Sequence, residues 1–150
     1  QKSIQGDRRI LDIFNSLGVK SVFKNNKLIL TKKPSSIFPE KINLIETPDL
    51  YQPLKCTLFA KNLNAKFSGT QTLFDKETDR INSVRKELKK LNASKNIQTY
   101  NDHRMAMSFA PLCLKFDELH INKSEVVSKS YPNFWKDLKK GGFTISALSD

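Results

Sequence analysis

The chain has 150 residues, 38% of them apolar and 27% charged, with a formal net charge of +11. That length suits one domain or a piece of a larger protein, with a core able to bury roughly 70% of the unfolded surface. No apolar run approaches the ~20 residues of a membrane-spanning helix, and the polar start Gln1 to Arg9 is unlike a secretory leader.

The positive charge would attract anions, but 21 of the 26 basic residues are Lys, scattered rather than clustered, beside abundant Asn. This reads as compositional bias, so neither nucleic acid nor membrane is an expected partner, and a small phosphate-bearing substrate accounts for the remaining charge. Cys56 and Cys113 sit in the apolar stretches 55–60 and 109–114, as buried free thiols would, which points to a cytoplasmic protein. Two Cys and two His at these spacings form no zinc motif.

In chain order, Ile4–Leu17 predicts a helix with a stripe of Ile10, Leu11, Phe14 and Leu17 ended by Gly18. Val19–Phe23 and Leu28–Thr31 predict a hairpin across Lys24-Asn25-Asn26-Lys27, and Ile42–Ile45 a short strand. Thr47-Pro48-Asp49 opens a helix to about Asn62, with Pro53 tolerated near its start. Phe67 and Leu73–Phe74 are expected on strands. Thr78 or Asp79 caps a helix with an inner face of Ile81, Val84, Leu88 and Leu91. Asn101 or Asp102 caps another to about Lys115. Leu119–Ile121 predicts a strand with His120 at the surface or an edge, and Tyr131–Leu138 a last helix burying Phe134, Trp135 and Leu138.

This order suggests an internal repeat. Gly6-Asp7-Arg8 matches Thr78-Asp79-Arg80 at an offset of 72, whereas Pro48-Asp49 matches Asn101-Asp102 at 53. The second copy is therefore about 19 residues short, and a hairpin is expected to be missing between residues 91 and 100. Either the hairpin is lost from the protein or the sequence as given omits it; omission is the favoured reading.

Two segments concentrate acid and base groups at helix starts: Lys76-Glu77-Thr78-Asp79-Arg80 and Tyr100-Asn101-Asp102-His103-Arg104-Met105-Ala106-Met107. They hold two of only five Arg in the chain, and Arg supplies the rigid fork that grips carboxylate or phosphate. A helix start adds free N–H groups and partial positive charge, so each segment suits an anion. Glu77 is then a carboxylate able to shuttle a proton, and His103 a group able to titrate near neutrality. Read alone, the first segment is equally a capping box with solvated charges, and Lys129 an ordinary surface lysine. Asp49 occupies in the first repeat the place of Asp102 in the second.

These segments in this order, together with Gln5-Gly6-Asp7, Pro48-Asp49 and Val127-Ser128-Lys129-Ser130-Tyr131-Pro132, resemble the C-terminal part of the 5-enolpyruvylshikimate-3-phosphate synthase family over nearly the whole chain. The resemblance implies an α/β fold of repeated βαβαββ units, half of an inside-out α/β barrel, with about two of three units of the C-terminal domain present in residues 1–150 and the N-terminal domain absent. It implies transfer of the enolpyruvyl group of phosphoenolpyruvate to the 5-hydroxyl of shikimate 3-phosphate with release of phosphate, in aromatic amino acid biosynthesis, without metal or organic cofactor. Carried over by motif, Asp49, Glu77 and His103 form the catalytic set. Asp49 is the base on the 5-hydroxyl, Glu77 handles the methylene proton, and His103 supports the site. Lys76, Arg80, Asp102, Arg104 and Lys129 form the substrate-binding set, with Arg80, Arg104 and Lys129 on phosphoenolpyruvate and Lys76 on shikimate 3-phosphate. The full-length enzyme is expected to be a monomer, and this chain alone to be inactive. The alternatives are the sister transferase acting on UDP-N-acetylglucosamine, which the Glu77 and Asp102-His103-Arg104 segments fit poorly, and a basic nucleic-acid-binding module, which predicts a steep salt dependence.

Overall fold

The computed structural model describes residues 6–34 and 37–147. Ile4 of the first expected helix and Gln5 of the first motif lie outside the described residues, as does the side chain of Asp7. A 3-10 turn at Gly6–Arg9 leads into α1 (Ile10–Ser16), later than expected, and Gly18 at φ +93 ends it. Ile13 and Leu17 are buried, with Ile10 and Phe14 at the core margin.

β1 (Val19–Lys24) and β2 (Lys27–Lys32) form an antiparallel hairpin in which Lys24 faces Lys27. The loop is therefore Asn25-Asn26, with φ of 51 and 57. Positive φ at both loop positions matches the strand twist, and Asn is among the few residues other than Gly that tolerate it. Val22, Phe23, Leu28, Ile29 and Leu30 of the hairpin are exposed.

Two parallel strand pairs follow, each joined by a helical crossover. β3 (Lys41–Asn43) pairs with β4 (Lys66–Ser68), and between them lie a 3-10 turn at Pro48–Leu50 and α2 (Tyr51–Ala60). Pro48 opens the turn and Pro53 falls in the first turn of α2, where a missing N–H costs little. β5 (Asn96–Ile97) pairs with β6 (His120–Ile121). Between them lie α4 (His103–Phe109), a 3-10 turn at Ala110–Leu112 and α5 (Cys113–Phe116). The helix expected to run unbroken to Lys115 is interrupted because Pro111 lacks an N–H and its ring crowds the carbonyl one turn back.

A 3-10 turn at Gln71–Leu73 and α3 (Arg80–Lys90) join the two crossovers, and the backbone passes from α3 through a turn at residues 91–93 directly into β5. The strand expected at Leu73–Phe74 does not form. The segment closes on itself through Leu73 N–H to Thr70 O, Leu73 enters the core and Phe74 stays exposed. Asp79 is the N-cap of α3, accepting from the Asn82 N–H, and the expected inner face Ile81, Val84, Leu88 and Leu91 is buried.

α2 lies between α3 and α4 and is buried on more than one face, through Tyr51, Gln52, Leu54, Cys56 and Leu58. Leu44, Leu73, Val84, Ile97, Met105, Phe109 and Leu112 complete the core around it. Each such apolar side chain contributes about 1.5–3 kcal/mol by leaving water. Tyr51 meets Phe67 edge to face at 5.3 Å. Burial pushes the Cys56 thiol well above its ordinary range, so it stays protonated and inert. Cys113, expected buried, is only half-buried, because the broken helix leaves it at the core margin. Lys115 closes the far end of α2 by donating to Phe59 O, Ala60 O and Asn62 Oδ1.

A small second cluster seats the C-terminal part. Val126 and Val127 of a 3-10 segment at Ser124–Lys129 pack on Ala106 of α4, with Phe134 and Trp135 of α6 (Phe134–Lys140) beside them. α6 starts later than expected, and Phe134, Trp135 and Leu138 are half-buried rather than buried. Trp135 Nε1–H reaches Ser124 O at 3.0 Å. His120 is half-buried on β6, its Nε2 3.2 Å from Glu118.

One buried acid, Glu87, ties α3 to the strand that follows it. It is fully buried and accepts from Tyr100 OH at 2.6 Å, Gln98 N–H at 3.0 Å and Lys90 Nζ at 2.6 Å. Burial, then the hydrogen bond to Glu87, raises the Tyr100 phenol to about 12.

Two outcomes are expected. Gly69, at φ +71 after β4, would place a Cβ 2.3 Å from Ile45 N and 2.6 Å from Asn43 Oδ1. Gly69→Ala should therefore cost at least about 2 kcal/mol in urea unfolding, and a cost under about 0.5 kcal/mol would contradict the packing of this turn. The raised Tyr100 phenol stabilises the fold fully below pH 10.0, its reference value, and that contribution is lost as the pH rises to about 12. Tyr100→Phe should therefore lower the melting temperature at neutral pH and lose less stability than the parent between these limits; parallel declines would reject the assignment.

Candidate active site

Asp49, Arg80 and Asp102 each arrive at the first turn or N-cap of a helix: Asp49 before α2, Arg80 as first residue of α3, Asp102 as N-cap of α4. The packing of α2 against α3 and α4 brings those three starts together. At their meeting point lies the Arg80 guanidinium, only 2% exposed. Its Nε donates to Asp102 Oδ2 at 2.7 Å, Nη1 to Asp49 Oδ1 at 2.7 Å and Nη2 to Glu77 Oε2 at 2.6 Å, with a longer contact to Asp102 Oδ1 at 3.5 Å. These are the short, charge-assisted bonds that a planar fork makes best.

The three carboxylates differ in access. Asp102 is fully buried and also accepts from Arg104 N–H at 2.8 Å and Gln52 Nε2 at 3.3 Å. Asp49 and Glu77 keep 30% and 39% of their side chains exposed. The exposed Oδ2 of Asp49 also meets Arg104 Nη2 at 3.0 Å. One acid thus fixes the cluster while two others, held on opposite ends of the same guanidinium, remain open to a ligand.

His103 follows the buried cap, and one ligand atom each of His103, Glu77 and Asp102 lies within 4.8 Å of the others. Such a set could hold a metal, but Arg80 donates to both acids, so the positive charge there is the protein's own. His103 Nδ1 is buried without a protein partner among the described residues. Lys129, exposed at the end of the 3-10 segment seated on α4, donates to Asn101 O at 3.2 Å. Lys76 is exposed and makes no hydrogen bond among the described residues, and of the expected site residues it and Lys129 are not drawn into the cluster. A cavity of about 630 Å³ between α1, β1 and the loop before Pro48, lined in part by Arg8, Asp12, Ser21, Phe23 and Glu46, shares no residue with this cluster.

Sequence reading missed two participants. Gln52 lies in an apolar helix one turn after Asp49, fully buried, and a buried amide in such a run is itself a sign of a polar partner. Glu87, on the inner face of α3 among Val84, Leu88 and Leu91, carried the same sign.

The comparisons with known proteins follow this geometry. The family model described as EPSP synthase (3-phosphoshikimate 1-carboxyvinyltransferase) matches residues 1–98 and 93–138. The chain is similar to the 3-phosphoshikimate 1-carboxyvinyltransferase of Bacteroides fragilis (strain YCH46), 36% identical over 164 residues, which cover 95% of this chain and 40% of the relative. The enzyme of that name from Clostridium acetobutylicum is 33% identical over 98% of this chain and 38% of its own length. That from Methanospirillum hungatei is 30% identical over 93% and 36%. The chain thus spans about 40% of the length of the first of these relatives and slightly less of the others. With a family model matched over most of its residues, the chain belongs to the EPSP synthase family.

Proposed function

We propose that this chain supplies part of an active site that transfers the enolpyruvyl group of phosphoenolpyruvate to the 5-hydroxyl of shikimate 3-phosphate. The observation that carries this reading is the Arg80 cluster: one buried guanidinium holds two accessible carboxylates, Asp49 and Glu77, beside Arg104. A reaction that must move one proton from a hydroxyl and another to and from a carbon needs two such acids near bound anions.

In this reading Arg104, Lys129 and Arg80 hold the phosphate and carboxylate of phosphoenolpyruvate, Arg80 by exchanging a carboxylate for the substrate. Asp49 accepts the proton of the 5-hydroxyl as its oxygen bonds to the central carbon of phosphoenolpyruvate. Glu77 delivers a proton to the methylene carbon, giving a methyl. In the second half Glu77 takes that proton back, the carbon–oxygen bond to phosphate breaks, and the proton held by Asp49 leaves with phosphate. Lys76 reaches shikimate 3-phosphate from its exposed position. Asp102 fixes the helix start, and His103 supports Glu77. The cations stabilise charge that develops at the intermediate.

We place the chain in the cytoplasm; no helix among the described residues is long and apolar enough to cross a membrane. We further infer a fold of repeated βαβαββ units in which the second unit lacks a hairpin after α3. Three facts support this. The two parallel pairs have the same strand–helix–strand form, each with an acid at its helix start. The family model matches in two pieces that meet at residues 93–98. The Bacteroides match runs over 164 residues, more than the 150 of this chain.

The test is phosphate release by the full-length protein that carries this sequence. Release should require both phosphoenolpyruvate and shikimate 3-phosphate, and fall at least ~100-fold in Asp49→Ala and in Glu77→Gln, the scale of a lost general acid or base. Undiminished release in either variant removes that residue from its role. No release from folded protein ends the reading and makes UDP-N-acetylglucosamine the next acceptor to try.

A further inference from the structure

The route by which Asp102 reaches Arg80 passes through a strained turn. Residues 99–102 close through Asp102 N–H to Thr99 O at 2.9 Å, with Tyr100 at φ +54 and Asn101 at φ +57 between them. A turn with two positive φ values is the natural place for Asn-Gly. Tyrosine has no local means of offsetting the left-handed conformation, so something outside the turn must hold it.

Two contacts outside the turn meet it. On one side Tyr100 OH donates to Glu87 Oε1 at 2.6 Å, and the other oxygen of Glu87 accepts from Gln98 N–H at 3.0 Å. On the other side Lys129 Nζ donates to Asn101 O at 3.2 Å. Glu87 is fully buried, and it makes no hydrogen bond or ion pair with Asp49, Glu77, Asp102, His103 or Arg104. Its Lys90 partner is one-third exposed. A buried carboxylate that spends two of its bonds on residues 98 and 100 stabilises this stretch of chain more than it stabilises α3.

We propose that Glu87 and Tyr100 form a latch that holds the Thr99–Asp102 turn in its left-handed form, making both positioning residues for Asp102, His103 and Arg104. Their importance for substrate rests on the transferase reading; their role in shaping the helix start does not. The latch acts across α3, so the same helix presents Arg80 at its first residue and fixes, two turns later, the turn that carries the acid for Arg80.

The experiment uses the full-length protein that carries this sequence, with Tyr100→Phe, which keeps the ring and removes the hydroxyl, and Glu87→Gln. Amide exchange of Asp102 and Arg104 should accelerate about tenfold or more, while that of Leu58 in α2 stays as in the parent. The His103 ring resonances should move while those of His120 do not. Tyr100→Gly should keep slow exchange at Asp102 and Arg104 although it too lacks the hydroxyl, because glycine meets the positive φ without a latch. A folded Tyr100→Phe chain with parental exchange at Asp102 and Arg104 overturns the proposal. So does uniform acceleration in Tyr100→Phe that Tyr100→Gly shares, since it marks a merely structural hydrogen bond. Titration with phosphoenolpyruvate separates the two readings. Binding by the parent that weakens about tenfold in Tyr100→Phe supports both. No binding by any variant, with the local exchange changes intact, defeats the transferase reading and leaves the latch standing.

Discussion

Placing a guanidinium out of water has a high cost unless every donor finds a charged partner. Arg80 comes close to that condition: carboxylates from three separate stretches of chain bond all three of its nitrogens, and the arrangement of the molecule follows from it. α2, α3 and α4 must start at one point, because the acids that neutralise Arg80 sit at or before their first residues. The burial of α2 on more than one face follows too, since it must pack against both α3 and α4 to bring Asp49 there. The fully buried Asp102 is tolerable only because Arg80, Gln52 and the Arg104 N–H satisfy it together. Replacing any one of these leaves a buried charge or polar group with less than its due, which explains how a cluster of so few side chains fixes the relative position of three helices.

Much of this was legible before any coordinates. The inner face of α3 and its Asp79 cap follow from apolar spacing and an acid at the right place. The Asn25-Asn26 loop follows from two apolar runs with two turn-forming residues between them. The acid and base segments at helix starts were visible as motifs, and the structure gathers Asp49, Glu77, Arg80, Asp102, His103 and Arg104. What was not legible depended on competition between local preferences. Leu73–Phe74 has strand composition but only two apolar residues, too few to hold a strand against a turn that buries Leu73. Pro111 lies within the predicted helix, and its missing N–H divides that helix at the α4–α5 boundary. The starts of α1 and α6 lie later than expected, at Ile10 and Phe134.

The expected contact of Arg80 with substrate has a competitor inside the protein. Each nitrogen of its guanidinium bonds one of the protein's own acids, while Arg104, with about a third of its side chain exposed, faces outward. Motif spacing places a residue along the chain and says nothing of how many partners compete for it. Gln52 and Glu87 escaped for the opposite reason: polar residues inside apolar helix faces look like noise until their partners, 50 and 11 residues away, are known.

Among the described residues the three sheets are separate two-stranded pairs, and the β5–β6 pair has two residues in each strand. A parallel ladder that short has too few bonds to form before its crossover helix is packed, because the entropy of closing the intervening chain comes first. The order of events in folding is thereby constrained. Helices α2, α3 and α4 must associate before the strands that flank them can register, and the strands record that association instead of directing it.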